Sequence, residues 1–134
     1  MTSIIDIEGI GPTYAAKLKE IGINTVEALL EAGATPKGRE EIAEKTGIDK
    51  GLILEWVNLA DLYRIKGVGE EYSDLLEEAG VDTVVELAQR NPENLHEKLL
   101  AVNAEKKLVR RVPTLAEVQD GVEQAKALPR VITY

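Results

Sequence analysis

The feature that most restricts the fold of this chain is an internal repeat of about 58 residues. Segment 7–26 aligns without gaps on segment 65–84, and both place two glycines in a short apolar turn with a third glycine eleven residues later. A repeat of this length is one supersecondary unit, which buries its apolar face against a neighbouring copy. We therefore expect two homologous units, 1–64 and 65–134, the second also carrying a C-terminal helix and tail.

The repeat keeps glycines, a tyrosine and apolar positions in register. The matched pairs include Ile7 with Ile65, Gly9 with Gly67, Gly11 with Gly69, Tyr14 with Tyr72, Leu18 with Leu76, Gly22 with Gly80 and Thr25 with Thr83. After a two-residue slip the alignment continues, with Leu52 on Leu108 and Leu59 on Leu115. This pattern indicates a duplication over most of the chain.

Apolar residues recur at helical spacing, and no segment alternates cleanly enough for a strand. Helix starts are marked by Thr35-Pro36 and Asn91-Pro92, each a capping side chain before a proline at the first helical position. Capping-box spacing occurs at Asn24…Glu27, Thr83…Glu86 and Thr114…Glu117. The predicted helices are 12–21, 25–32, 36–46, 49–63, 70–79, 83–90, 92–102, 105–111 and 115–127, followed by an extended tail at 129–134.

Composition removes most enzyme classes. The chain has no cysteine and a single histidine, so thiol nucleophiles, thiolate sites and multi-histidine metal sites are excluded. No phosphate-binding loop, dinucleotide fingerprint or nucleophile elbow is present. We expect no catalytic residues, no metal, no cofactor and no small-molecule substrate.

We expect neither a membrane span nor an export signal in this chain. Its longest uncharged stretch is the eight residues 9–16, far short of the roughly 18 that a membrane span needs. The first residues have neither a basic nor an apolar signal region. We expect a cytoplasmic protein that does not contact a membrane.

Two glycine turns carry the functional argument: Ile7-Glu8-Gly9-Ile10-Gly11 and Ile65-Lys66-Gly67-Val68-Gly69. Each resembles the helix-hairpin-helix motif of DNA-repair and transcription proteins. Over nearly its whole length the chain is also similar to an uncharacterised bacterial family of tandem helix-hairpin-helix proteins, a domain of unknown function. The resemblance implies an all-α fold in which two helix-hairpin-helix units pack as one compact helical body. It also implies a hairpin that grips a DNA phosphate without reading sequence.

The amides that follow the second glycine are the unpaired N–H groups of a new helix and carry the positive end of its dipole. They form a site for one anion. In the first hairpin, the candidate nucleic-acid-binding residues are Gly9, Gly11, Thr13, Lys17 and Lys19. The alternative is that the glycines of this turn only allow the helices to pack. The second hairpin, Gly67 to Gly69, is followed by two glutamates, Glu70 and Glu71, which would repel a phosphate. There we prefer a purely structural role.

One basic cluster stands out in a chain of net charge −8. On the predicted helix 105–111, Lys106 and Arg110, and likewise Lys107 and Arg111, are four residues apart and share a face. That face is a further candidate for binding phosphates. We prefer the other interpretation, a solvated face balanced by Glu97 and Glu105.

Two non-enzymatic functions follow from these observations. The first is sequence-independent binding of duplex DNA through the first hairpin, which the resemblance favours. The second is a protein–protein adaptor that keeps the fold without nucleic-acid affinity, which the net charge and the second hairpin favour. The expected partner is accordingly duplex DNA or another protein.

Overall fold

The computed structural model describes residues 2–134. A short 3-10 helix (Ile4–Asp6) precedes eight α-helices: α1 (Pro12–Glu20), α2 (Val26–Ala32), α3 (Pro36–Thr46), α4 (Lys50–Leu62), α5 (Glu70–Glu78), α6 (Val84–Ala88), α7 (Pro92–Lys106) and α8 (Leu115–Ala127). Across these residues, β-structure is limited to one isolated antiparallel bridge between Ser3 and Thr25. The prediction of an all-α fold is confirmed. In this part of the chain, no helix combines the length and apolar character required to cross a bilayer.

The chain divides into two compact units. One comprises the residues up to Asp61 together with Val131–Tyr134, and the other is Leu62–Arg130. In the first unit α1 and α2 pack on α3, and α1 also packs on the 3-10 helix. In the second unit α6 and α7 pack on α8, and α5 packs on α7.

Each unit has its own apolar core of large aliphatic side chains, with one indole in the first. The first core includes Ile4, Ile7, Leu18, Leu29, Ile53, Trp56 and Val57, and the second includes Ile65, Leu75, Leu76, Leu87, Leu99, Val118 and Val122. Trp56 is the largest side chain of the first core, and only 1% of its surface is exposed.

The two glycine turns have closely similar local geometry. Gly9 has a φ of +94° and Gly67 a φ of +97°, a conformation that L side chains rarely adopt. In both turns the residue after this glycine donates its amide to the carbonyl three residues earlier, at 3.1 Å. The ends of the following helices also agree, since Gly22 and Gly80 have φ values of +84° and +93°.

The predicted helix caps are largely present. Thr35, Thr83 and Asn91 each accept a hydrogen bond from the amide three residues later, and Thr114 forms a reciprocal capping box with Glu117. The prediction of an N-cap at Asn24 was wrong by one residue. Thr25 caps α2 instead, because its side chain accepts from the Ala28 amide at 3.0 Å.

The predicted helix 105–111 was wrong. Helix α7 continues to Lys106 and ends at Lys107, which has a left-handed φ of +53°. The Asn103 side chain then holds the departing backbone, accepting from the Val109 amide at 2.9 Å and donating to the Val109 carbonyl at 3.1 Å. Leu108 therefore lies outside any helix, so its alignment on Leu52 of α4 does not match the structure.

The C-terminal residues Val131–Tyr134 lie outside any helix or strand and pack within the first unit. Ile132 is buried, and Thr133 donates its amide to the Ala34 carbonyl at 2.8 Å. Arg39 donates to the Gly33 and Thr133 carbonyls at 2.8 and 2.7 Å. Its guanidinium also lies 5.7 Å from the ring centroid of Tyr134. The first unit is thus completed by residues from the far end of the chain.

Candidate nucleic-acid interface and the second hairpin

The first hairpin is fixed on the core of its unit. Ile7 and Ile10 are buried on either side of the exposed Gly9. The Trp56 indole lies under this turn, since a Cβ built on Gly9 would be 3.2 Å from Trp56 Nε1. The Tyr14 ring packs on the same indole, with centroids 5.0 Å apart and planes at 59°. These contacts pack the turn and the first part of α1 against the core of the unit.

Helix α1 begins without a side-chain cap. Its N-cap is Gly11, no acidic residue lies in its first turn, and Pro12 occupies the first helical position. The amides of the first turn have no acceptor within the helix, and Thr13 is exposed beside them. This N-terminus can therefore accept an external anion at the positive end of the helix dipole.

The two lysines of α1 lie in its last turn. Lys17 is four residues from Thr13 and shares its face, and side chains on a helix lean towards the N-terminus. Lys19 is six residues from Thr13, which places it roughly 120° away around the helix. Of the two, Lys17 is better placed to attract an anion bound beside Thr13. Both lysines also interact favourably with the negative end of the helix dipole.

The structure disperses the basic cluster 106–111. Lys106 bonds Glu78 of α5 through its ammonium group, and this hydrogen bond raises the pKa of Lys106. Arg111 donates to both carboxylate oxygens of Glu117, at 2.7 and 3.0 Å. Lys107 and Arg110 are exposed and, among residues 2–134, make no ion pair. The four cations do not share one helical face, and their role in binding phosphate stays a prediction.

The pair between Arg111 and Glu117 has a clear electrostatic effect. The Arg111 hydrogen bonds, helped by the backbone of Thr114, lower the pKa of Glu117 from 4.5 to about 2. Glu117 therefore stays ionised at ordinary pH and holds both Arg111 and the start of α8. Arg111 is thereby committed to a local contact within the second unit.

The second hairpin has a different electrostatic character from the first. Glu70 and Glu71 lie in the first turn of α5, where their carboxylates interact favourably with the positive end of the helix dipole and repel any further anion. The backbone of Lys66 is also engaged, because Gln124 of α8 accepts from its amide at 2.8 Å and donates to its carbonyl at 3.3 Å. This arrangement agrees with a structural role for the second turn.

One acidic cluster has oxygens close enough for a metal ion. Carboxylate oxygens of Asp74, Glu77 and Glu78 lie within 4.8 Å of one another. The Lys106 ammonium already bonds Glu78, and Asp74 and Glu77 have polar contacts of their own. The cluster is therefore explained by interactions within the chain.

Comparison of the amino-acid sequence with known proteins identifies a family. A protein-family model, described as a domain of unknown function (DUF4332), matches residues 8–128. The chain belongs to the DUF4332 family. No curated protein and no solved structure shows significant similarity to it.

In this DUF4332 chain, two structural features near the hairpins were missed by the sequence reasoning. Gln124 clamps the second turn, and a groove opens beside that turn, against Tyr72. Neither feature is marked by a local sequence pattern. The hydrogen bonds of Gln124, for example, join residues that are 58 positions apart in the sequence. The matched pair Tyr14 and Tyr72 was the nearest sequence clue to the groove. The ring of Tyr14 packs on an indole, with centroids 5.0 Å apart, and Tyr72 lines the groove at the matching position.

Proposed function

We propose that this chain is a non-enzymatic module of two helix-hairpin-helix units, which binds the phosphate backbone of duplex DNA through its first hairpin. The observation that carries the proposal is the N-terminus of α1. It has no side-chain cap and no acidic residue in its first turn, packs through Tyr14 on Trp56, and carries Lys17 on the same face as Thr13. A phosphate bound there would position the protein without reading sequence.

The helix-hairpin-helix assignment is supported by the matched turns. Gly9 and Gly67 have nearly the same positive φ, each lies two residues before the N-cap glycine of a nine-residue helix, and each of these helices ends before a further positive-φ glycine. Two unrelated turns would not be expected to repeat this whole series. The proposal requires the protein to share a compartment with duplex DNA, so we also propose a cytoplasmic location.

The contact is assigned to the first hairpin and not to both. A phosphate at the second would meet Glu70 and Glu71. Lys107 and Arg110 provide exposed positive charge in the second unit, whereas Lys106 and Arg111 are engaged by carboxylates. We therefore expect weak binding that depends on few phosphates.

Fluorescence anisotropy of labelled duplex DNA at several salt concentrations tests this function. Each neutralised phosphate contributes a slope of about −0.9 in log K against log salt, so contact with two phosphates gives about −1.8. Saturable binding with that slope or a steeper one supports the proposal. No binding at low salt, where electrostatic attraction is strongest, contradicts it.

The Thr13→Glu substitution tests the site itself. A carboxylate at the start of α1 interacts favourably with the positive end of the helix dipole and repels phosphate. We therefore expect duplex binding to be lost, while the helical circular dichroism and the melting temperature stay the same. Gln119→Glu is the matched control, because it adds the same charge at an exposed position of α8. Equal binding by the Thr13→Glu variant and the parent would remove the first hairpin from the interface.

The alternative function is a protein–protein adaptor. It is favoured by the net charge of −8, by the acidic start of α5 and by the internal pairing of Lys106 and Arg111. An adaptor would recover a stoichiometric partner from nuclease-treated lysate, and absence of duplex binding in the anisotropy experiment would leave this alternative.

A further inference from the structure

A groove of about 430 Å³ lies in the second unit, between the glycine turn, the first turn of α5 and the start of α8. Its walls include Ile65, Gly67, Tyr72, Pro113 and Ala116, and Gly121 lies at its buried side. The volume falls within the range of sites that hold a small ligand or an anchoring side chain.

Aligning helix α8 with helix α4 shows which part of the first unit is equivalent to this groove. Each has 13 residues, and each receives its first helical bond at the residue before it, Asp49 or Thr114. In this register every buried position of α8 falls on a buried position of α4: Val118 on Ile53, Val122 on Val57, and Ala125 on Ala60. Helix α4 is buried at further positions, such as Leu59 and Leu62. The residue that corresponds to Trp56 is Gly121.

The surroundings of Trp56 are repeated in the second unit, but the indole is not. In the first unit this ring packs against Tyr14 and lies under Gly9. Tyr72 and Gly67 hold the matching positions and line the groove. A Cβ built on Gly67 meets nothing within 4 Å, whereas one built on Gly9 would meet the indole. The groove is therefore the place that an indole fills in the other unit.

The charges around the groove favour a basic neighbour for the occupant. The lining includes three carboxylates and two cations, and the Arg111 and Glu117 charges neutralise each other as an ion pair. Glu71 and Asp120 then remain opposite a single lysine, Lys66. Burial and the nearby Glu117 raise the pKa of Tyr72 to about 12, so its hydroxyl keeps its proton even in alkaline solution.

We propose that this groove binds a tryptophan side chain of another protein, presented in a short segment with Lys or Arg beside it. A second copy of this chain is not the source. The sequence contains one tryptophan and no phenylalanine, and that tryptophan is buried. The inference does not depend on DNA binding, since it concerns the second unit and not the first hairpin.

The test is an NMR titration of the ¹⁵N-labelled chain with the peptide acetyl-Gly-Lys-Trp-Lys-Gly-amide. We expect saturable shifts centred on the Gly67 and Gly121 amides. Replacing the peptide tryptophan by alanine, or its lysines by glutamates, should weaken binding at least tenfold. Equal binding of the alanine peptide would overturn the proposal, because charge alone would then explain it. Free indole binding as tightly as the peptide would also overturn it, in favour of a small aromatic ligand.

Filling the groove from within provides the matched variants. A Cβ on Gly121 would lie at an ordinary 3.9 Å from Ile65, so Gly121→Trp should place its ring where the peptide binds and abolish the shifts. Gly121→Ala should keep them. If Gly121→Trp does not fold, Ala116→Trp blocks the groove from an exposed wall position. Undiminished peptide binding by a folded blocking variant would overturn the proposal, and duplex binding by these variants should be unchanged.

Discussion

At the scale of single residues, positive φ explains why glycine stands at the two hairpin turns. A side chain in a left-handed conformation costs about 1–2 kcal/mol. Gly9 and Gly67 have almost the same φ, but only Gly9 lies against a bulky neighbour, the Trp56 indole. Comparing the same substitution at Gly67 and Gly9 therefore distinguishes the cost of backbone strain from the cost of packing against the indole.

We expect both Gly9→Ala and Gly67→Ala to lower the free energy of unfolding by about 1–2 kcal/mol, because both place a Cβ at positive φ. Gly9→Ala should cost about 1 kcal/mol more, since its Cβ would lie 3.2 Å from Trp56 Nε1. Urea denaturation of the two variants measures the difference. Equal losses would show that the indole moves aside without cost.

At the scale of elements, the end of α7 shows how a side chain decides where a helix stops. The sequence 105–111 has charges at helical spacing, yet Lys107 takes a left-handed conformation and Asn103 binds the backbone of Val109. The spacing of charges along the sequence does not predict these hydrogen bonds of Asn103. The candidate basic face disappears for the same reason.

Lys107→Gly should stabilise the chain by about 0.5–1 kcal/mol, because glycine adopts the left-handed conformation without the Cβ penalty and this gain exceeds its greater entropy loss on folding. Lys107→Gln is the control, since it removes the charge but keeps the strain, and it should lower stability by a few tenths of a kcal/mol. Thermal and urea unfolding measure both. A stabilising Gln variant would point to charge instead of strain.

At the scale of the whole molecule, the first unit depends on residues more than 90 positions away in sequence. Arg39 is buried, with 7% of its surface exposed, and joins α3 to the tail through the Thr133 carbonyl. Tyr134 adds a hydroxyl bond to Asn58 at 3.0 Å. These polar contacts hold the C-terminal tail on the first unit.

Arg39→Met keeps an apolar stem but removes the donors to Gly33 and Thr133, so we expect a loss of about 2–3 kcal/mol of stability. Hydrogen exchange should also accelerate at the Thr133 amide, which bonds Ala34. Lys37→Met, at an exposed position of the same helix, should change stability by less than about 0.5 kcal/mol. Unchanged protection of Thr133 would show that the tail docks without Arg39.

Much of the fold could be predicted because its signals are local. Proline after a capping residue marked the starts of α3 and α7. The first hairpin was a candidate site for the same reason, since its glycines and Thr13 are adjacent in sequence. The acidic start of α5 was equally visible.

The sequence by itself determined the all-α class and the matched glycine turns, because helix periodicity, caps and positive-φ positions act over a few residues. Only the tertiary structure decided the pairing of Arg111 with Glu117, the docking of the tail on Arg39 and the groove at Gly121. These features depend on which side chains meet across elements. A register such as that of Gly121 opposite Tyr72 is set by packing, which no local pattern specifies.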